Sequence, residues 1–127
     1  MKGTILAVQM LIRLAWLVLI VLGLLFWTGH ALNLILVHMD TGVVFVLLLW
    51  ILAALAIFTR AALGLAILTV IWGLLVAAFG MAMPRLLAGG NPWPIGVAHL
   101  LIGIVAIGLA EMLSARMKRK QRTGAPA

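Results

Sequence analysis

The sequence predicts an all-α fold, an integral membrane four-helix bundle with both termini in the cytoplasm. Apolar residues make up 67% of the 127 residues, charged residues make up only 9%, and the mean hydropathy is +1.35. A soluble domain is about half apolar and a quarter charged. Four apolar stretches each approach the roughly 20 residues that a helix needs to cross a bilayer. Lysine and arginine fall almost entirely on one side of the resulting arrangement.

We expect one transmembrane domain over residues 1–127, with spans at about 5–28, 31–59, 61–83 and 94–114 and a basic tail at 115–127. Four spans leave no room for a soluble domain, which excludes nucleotide-binding modules, large extramembrane enzymes and DNA-binding domains. The absence of cysteine excludes disulfides, thiolate metal sites and thiol redox chemistry.

The boundaries of the spans follow from polar and helix-breaking residues. The first span stops at Thr28 and Gly29, and the third stops before Pro84, because proline cannot continue the helical hydrogen-bond ladder. The second span is long and polar in its first third, where Asp40 either bonds a histidine or caps a shorter helix that begins near Thr41. A turn-rich connector leads into the fourth span.

The distribution of positive charge predicts the orientation, because cytoplasmic loops collect lysine and arginine. On one side lie Lys2, Arg13, Arg60, Arg116, Lys118, Arg119, Lys120 and Arg122. Arg85 alone lies on the other side. We therefore expect a multi-pass protein of the bacterial inner membrane, with its basic tail on anionic headgroups rather than on nucleic acid. The alternative is that the N-terminal stretch is a cleaved signal peptide, which would leave three spans.

Two histidines are placed to face each other from the second and fourth helices, at similar depth in the outer half. His38 lies 22 residues before Arg60 and His99 lies 17 residues before Arg116, rises of about 33 Å and about 26 Å, which ordinary helix tilt reconciles. Gly42 and Gly103 follow the two histidines by four residues, on the same helix faces. Two such faces are typical of a b-type haem held by two imidazoles.

Other readings of these residues stay open. Small residues every fourth position also let membrane helices pack closely, so the chain is alternatively a non-catalytic subunit or scaffold, and its Gly/Ala faces permit a homodimer. A third reading is a copper-handling protein, because imidazoles and thioethers suit copper. The outer-face residues for it are His30, His38, His99, Met39, Met81 and Met83.

The sequence also allows predictions about the positions and partners of several further polar and aromatic residues. Arg85 either pairs with a haem propionate or ends the third helix and reaches headgroups. His30 is a surface residue, a second ligand or a proton relay. Glu111 is expected to pair with Arg13, since an unpartnered carboxylate is costly in lipid. Three tryptophans are expected at the membrane interfaces, namely Trp16, Trp27 and Trp93. The other two, Trp50 and Trp72, lie mid-span, where they fill space between helices or line a cofactor site.

With these four short-looped spans, the basic tail, and His38, Gly42, His99 and Gly103, the chain resembles the small bacterial cytochrome b561-like membrane proteins. The resemblance covers the architecture of the four spans. Members of that group usually bind two haems near both faces, whereas this sequence has no histidine at its cytoplasmic end. The resemblance therefore implies one outer haem b in a membrane oxidoreductase that passes electrons among a quinone, superoxide or a periplasmic carrier.

Overall fold

The computed structural model describes residues 1–124 and confirms the predicted all-helical, four-helix fold. The helices are α1 (Lys2–Trp27), α2 (Ile35–Phe58), α3 (Leu63–Leu87) and α4 (Pro92–Thr123), and a short 3₁₀ turn, Leu32–Leu34, precedes α2. All four helices are long and apolar enough to cross a membrane, as a multi-pass membrane protein requires. Residues 125–127 of the predicted basic tail lie outside the described part of the chain.

The helices are arranged in a ring in chain order. α1 packs against α2 and α4, and α3 packs against the same two neighbours. α2 and α4 also touch across the diagonal of the ring, whereas α1 and α3 make no contact within residues 1–124. The two helices that carry His38 and His99 are therefore the closer diagonal pair.

Three boundaries differ from those expected. α3 continues past Pro84 to Leu87, because proline near a helix end removes only one backbone bond and membrane helices tolerate it. α4 begins at Pro92, where a proline needs no intrahelical partner, and runs to Thr123 before Gly124 ends it in a left-handed conformation. Asp40 lies inside α2, so the expectation that it caps a helix beginning near Thr41 is wrong: the 3₁₀ turn starts the helix earlier.

The turn between α2 and α3 is tied to the end of α4. Arg60 adopts a positive φ of 50°, a conformation that costs a non-glycine residue free energy. Ala61 N–H donates to the Ala56 carbonyl at 3.1 Å. The Lys120 ammonium donates to the carbonyls of Thr59 and Arg60 at 2.7 and 3.1 Å. The basic segment thus satisfies carbonyls that the end of α2 leaves free.

The buried residues are concentrated at one end of the bundle. We call the end with both termini the terminal half, residues 2–15, 45–58, 63–73 and 106–123, and the remainder of the described bundle, residues 16–44 and 74–105, the histidine half. Within residues 1–124, every fully buried side chain except Leu22 lies in the terminal half. Its core combines large side chains with alanines that let the helices approach closely. These are Ile5, Ile12, Phe45, Leu49, Leu52, Ala53, Ala56, Ala66, Ala106, Ala110, Leu113 and Met117.

The histidine half is packed loosely. Residues 94–100 of α4 are all half-buried and none is fully buried, although a helix in a tight bundle alternates between covered and exposed faces. The outer surfaces of both halves carry large apolar side chains, such as Leu14 and Leu74, which are more than half exposed. In a membrane, lipid covers those outward side chains. It does not explain why no residue of 94–100 is fully buried.

Candidate functional site: a histidine pair in the loosely packed half

His38 and His99 face each other inside the histidine half. His38 lies one turn into α2 and His99 lies two turns into α4. Their ring centroids are 6.2 Å apart, and the ring planes are inclined by 53°. The sequence-based expectation that these two residues meet at similar depth is therefore confirmed for the side chains themselves.

Two phenylalanines complete the layer around the pair. Phe26 of α1 meets His38 edge-on at 5.4 Å, and Phe79 of α3 stacks on His99 at 5.7 Å with an interplanar angle of 13°. Each of the four helices therefore contributes one ring to the same level of the bundle. The sequence analysis missed both phenylalanines, because no spacing rule links single aromatic residues on α1 and α3 to histidines on other helices.

Both histidines have an unsatisfied nitrogen. The Nδ1 atoms of His38 and His99 are buried, and neither has a hydrogen-bond partner among the described residues. A buried polar atom left unpaired costs about 1–3 kcal/mol, so native structures almost always provide a partner. Ser114 Oγ and Gln121 Oε1 are buried and unpaired in the same way, so what sets the two histidines apart is that their rings are also neighbours.

The glycines near the pair have different surroundings. A side chain at Gly103 would meet no atom within 4 Å, so the space beside this turn of α4 is open. A Cβ at Gly42 would lie 3.9 Å from Leu19, an ordinary contact. A Cβ at Gly23, which was not expected to matter, would lie 3.7 Å from Cε1 of His38. Of the two predicted glycines, only Gly103 has no neighbour where its Cβ would lie, a property it shares with Gly64, Gly80 and Gly108.

The remaining predicted site residues lie apart from the pair. Arg85 is in the last turn of α3 with an exposed side chain, at the end of the bundle where the histidine half meets its connectors. His30 is exposed in the first connector, and its Nδ1 lies 3.0 Å from the Thr28 hydroxyl. Within residues 1–124 no three His, Asp or Glu side chains converge on a possible metal position. The structure thus does not join His30 to His38 and His99.

Three tryptophans form a layer between the two halves. Trp16 of α1 and Trp72 of α3 donate to adjacent carbonyls of α4, those of Gly103 and Ile102, at 3.2 and 3.0 Å. Trp50 of α2 donates to a carbonyl of α3 at 3.2 Å. Trp16, which the sequence suggested for a membrane interface, thus donates its indole N–H to another helix. The mid-span tryptophans bridge helices, and together the three indoles form the floor of the histidine half.

The terminal half holds the predicted ion pair between Glu111 and Arg13. Arg13 Nε and Nη2 donate to the two carboxylate oxygens at 2.7 and 2.8 Å. Gln9, which is buried, donates to the same carboxylate at 2.7 Å and accepts from Lys118. This network fastens α1 to α4, and it satisfies charges that would be costly in lipid if left alone.

Comparison of the chain with protein-family models, with curated proteins and with solved structures gives no match.

Proposed function

We propose that this chain is a multi-pass membrane protein that binds one haem b between His38 and His99 and takes part in electron transfer. One observation carries the proposal: two imidazoles from diagonal helices face each other, each with a buried Nδ1 that lacks a partner in residues 1–124. The pair lies in the half of the bundle in which Leu22 is the one fully buried side chain among the described residues.

The separation of the rings supports a shared metal. An imidazole nitrogen bonds a metal ion at about 2 Å, so two nitrogens on opposite sides of one ion would lie about 4 Å apart. Each ring centre lies roughly 1 Å behind its nitrogen, which makes a centroid separation near 6 Å for two imidazoles on one ion. The observed separation of 6.2 Å agrees with that value. His38 and His99 are therefore the residues that would hold the metal of a haem group.

The surrounding residues suit a flat, largely apolar group. The rings of Phe26 and Phe79 provide apolar walls beside the pair. A side chain at Gly103 would meet no atom within 4 Å. Arg85 is the one cation in the part of this half that the structure describes, and its planar guanidinium matches a carboxylate such as a propionate. When bound with two axial histidines, haem supplies one-electron transfer. The tryptophan floor and the packed terminal half keep water away from the inner side of the pair.

We further propose the orientation in which the terminal half faces the cytoplasm of a bacterium. Eight of the nine lysines and arginines lie at or near that end, and such residues are retained on the cytoplasmic side. The histidine pair then lies in the outer leaflet of the inner membrane. Its redox partner is correspondingly a membrane quinone, superoxide or a carrier in the periplasm.

A reduced-minus-oxidised absorption spectrum of the purified protein tests the proposal. We expect a Soret band and sharp α and β bands in the wild type, and their loss in both His38→Ala and His99→Ala. His30→Ala is the matched control, because its ring lies in the connector and it should keep the spectrum. Circular dichroism and size-exclusion chromatography establish that each variant remains a folded helical protein.

Two outcomes would replace the proposal with another reading. A colourless preparation that contains no metal, even after haem is supplied during expression or reconstitution, would favour a scaffold whose histidines only pack. Copper found by elemental analysis, without a Soret band, would favour a copper-handling protein that uses the outer histidines and methionines. A spectrum retained in both His38→Ala and His99→Ala would place any haem elsewhere in the chain.

A further inference from the structure

The basic end of α4 presents two distinct faces, and only one of them is used by the bundle. Lys118 donates to Gln9 of α1, and Lys120 donates to the carbonyls of the α2–α3 turn. These two lysines hold the last turns of α4 against the terminal half. Arg116, Arg119 and Arg122 lie instead around a shallow, open cleft of about 370 Å³ on the outward face, whose lining residues all belong to α4. The arginines are therefore carried by a fixed helix with a constant spacing.

The cleft is apolar at one end and basic at the other. Its remaining lining residues are Met112, which lies about one turn before Arg116, and Ala115, which lies about one turn before Arg119. Met112 is 51% exposed although it belongs to a span that is apolar enough for a bilayer. The cleft therefore crosses from the hydrocarbon level to the headgroup level. A ligand that fits both ends carries negative charge next to an apolar chain.

The three arginines lack counter-charges from the protein. The whole sequence contains two acidic residues. Glu111 is engaged by Arg13 and Gln9, and Asp40 lies near the start of α2, at the opposite end of the bundle. In residues 1–124, the ion pair between Arg13 and Glu111 is the one salt bridge. No acidic side chain of residues 1–124 therefore neutralises the outward face.

We propose that this cleft binds the phosphates of an anionic phospholipid, and that a lipid with two phosphates binds more tightly than a lipid with one. Arg116 and Arg122 are separated by a rise of about 9 Å along the helix, which allows two phosphate groups to be held at once. Guanidinium groups bind phosphate oxygens through paired N–H donors. Met112 and Ala115 contact the first carbons of an acyl chain. The inference is independent of the histidine pair.

A lipid rather than a nucleic acid is favoured by the position of the cleft. Its apolar end belongs to the membrane span, where a polyanion has no access but an acyl chain is already present. A soluble phosphate compound would use the arginines alone and leave the exposed Met112 without a role. The amphiphilic lining is therefore matched by the molecules that surround this helix in a bilayer.

The test is a lipid titration of the delipidated, full-length protein in a neutral detergent, followed by native mass spectrometry. Diphosphatidylglycerol, phosphatidylglycerol and phosphatidylcholine are the probes. At about 1 kcal/mol per charge, we expect Arg119→Gln to weaken diphosphatidylglycerol binding about fivefold, and the triple variant R116Q/R119Q/R122Q to weaken it about a hundredfold. Lys2→Gln removes the same charge from α1 and should change binding less than about twofold.

Two further measurements test the proposal even if the triple variant folds poorly. R116K/R119K/R122K retains the charge and loses the paired donors, so we expect it to lose the preference for two phosphates over one. Inorganic phosphate at millimolar concentration should not displace the lipid. Equal weakening by Lys2→Gln and Arg119→Gln, equal binding of phosphatidylcholine, or displacement by inorganic phosphate would overturn the proposal. Binding of a short DNA duplex with the same arginine dependence, and no lipid preference, would also overturn it.

Discussion

The two halves of this bundle are built from similar residues but are held together differently. In the terminal half, Phe45, Leu49 and Leu113 are almost completely buried, and alanines opposite them allow close helix approach. In the histidine half, Leu22 is the one fully buried side chain among the described residues. Because lipid tails are as apolar as leucine, helix association in a membrane depends on packing and polar contacts rather than on hydrophobicity. The terminal half therefore provides most of the association.

Their polar groups differ in the same sense. In the terminal half, Gln9, Arg13, Glu111 and Lys118 form one hydrogen-bonded network, and the buried Ser114 hydroxyl and Gln121 side-chain oxygen lie outside it with no partner among the described residues. In the histidine half, the buried polar atoms of the ring pair are left unpaired. The second half is therefore not simply a weaker copy of the first. It alone places two imidazole rings with unpaired buried nitrogens next to each other among the described residues.

The largest difference between the halves should appear on truncation of a phenylalanine. We expect Phe45→Ala, in the terminal half, to lower the free energy of unfolding by about 3 kcal/mol, because it leaves a void in the packed core. Phe26→Ala, in the histidine half, should lower the free energy of unfolding by less than about 1 kcal/mol. Unfolding by a denaturing detergent, followed by circular dichroism, measures both. Equal costs would show that the looser packing has no energetic meaning.

A smaller effect is expected for two glycines on the same face of α3. A Cβ at Gly73 would lie 2.5 Å from the Trp50 indole nitrogen, whereas a Cβ at Gly80 would meet nothing within 4 Å. Gly73→Ala should therefore cost about 2 kcal/mol through overpacking. Gly80→Ala should be neutral or stabilising by up to about 1 kcal/mol, since alanine favours the helix. The same unfolding assay applies, and a neutral Gly73→Ala would show that α2 and α3 separate without loss.

The smallest expected effect concerns the boundary between the halves. Trp72→Phe keeps an aromatic ring and removes the bond to the Ile102 carbonyl, for which we expect a loss of about 1 kcal/mol. Trp93→Phe is the control, because that side chain is 62% exposed at the start of α4. Thermal unfolding of the two variants should show a lower midpoint only for Trp72→Phe. Identical midpoints would remove the tryptophan layer as a stabilising element.

Much of the fold is determined by the sequence alone. A chain this apolar has to satisfy its backbone internally, and helices do so within each span. Counting residues at 1.5 Å of rise also placed His38 opposite His99 and Arg13 beside Glu111, because depth in a bilayer depends on position along the chain. The helix boundaries were harder to predict from the sequence. α3 continues through its proline and α4 continues through the basic segment, although composition suggested that both helices would stop there.

Only the tertiary structure decided which faces of the helices meet. The spans are apolar on nearly every side, so periodicity does not mark a core face as it does in a soluble helix. Several features depend on neighbours that are distant in sequence. They are the confinement of the packed core to one half, the positions of the Phe26 and Phe79 rings, the bonds of Trp16 and Trp72 to α4, and the outward arginine cleft. An apolar side chain suits lipid and protein equally well, and three-dimensional packing alone determines which of the two it meets.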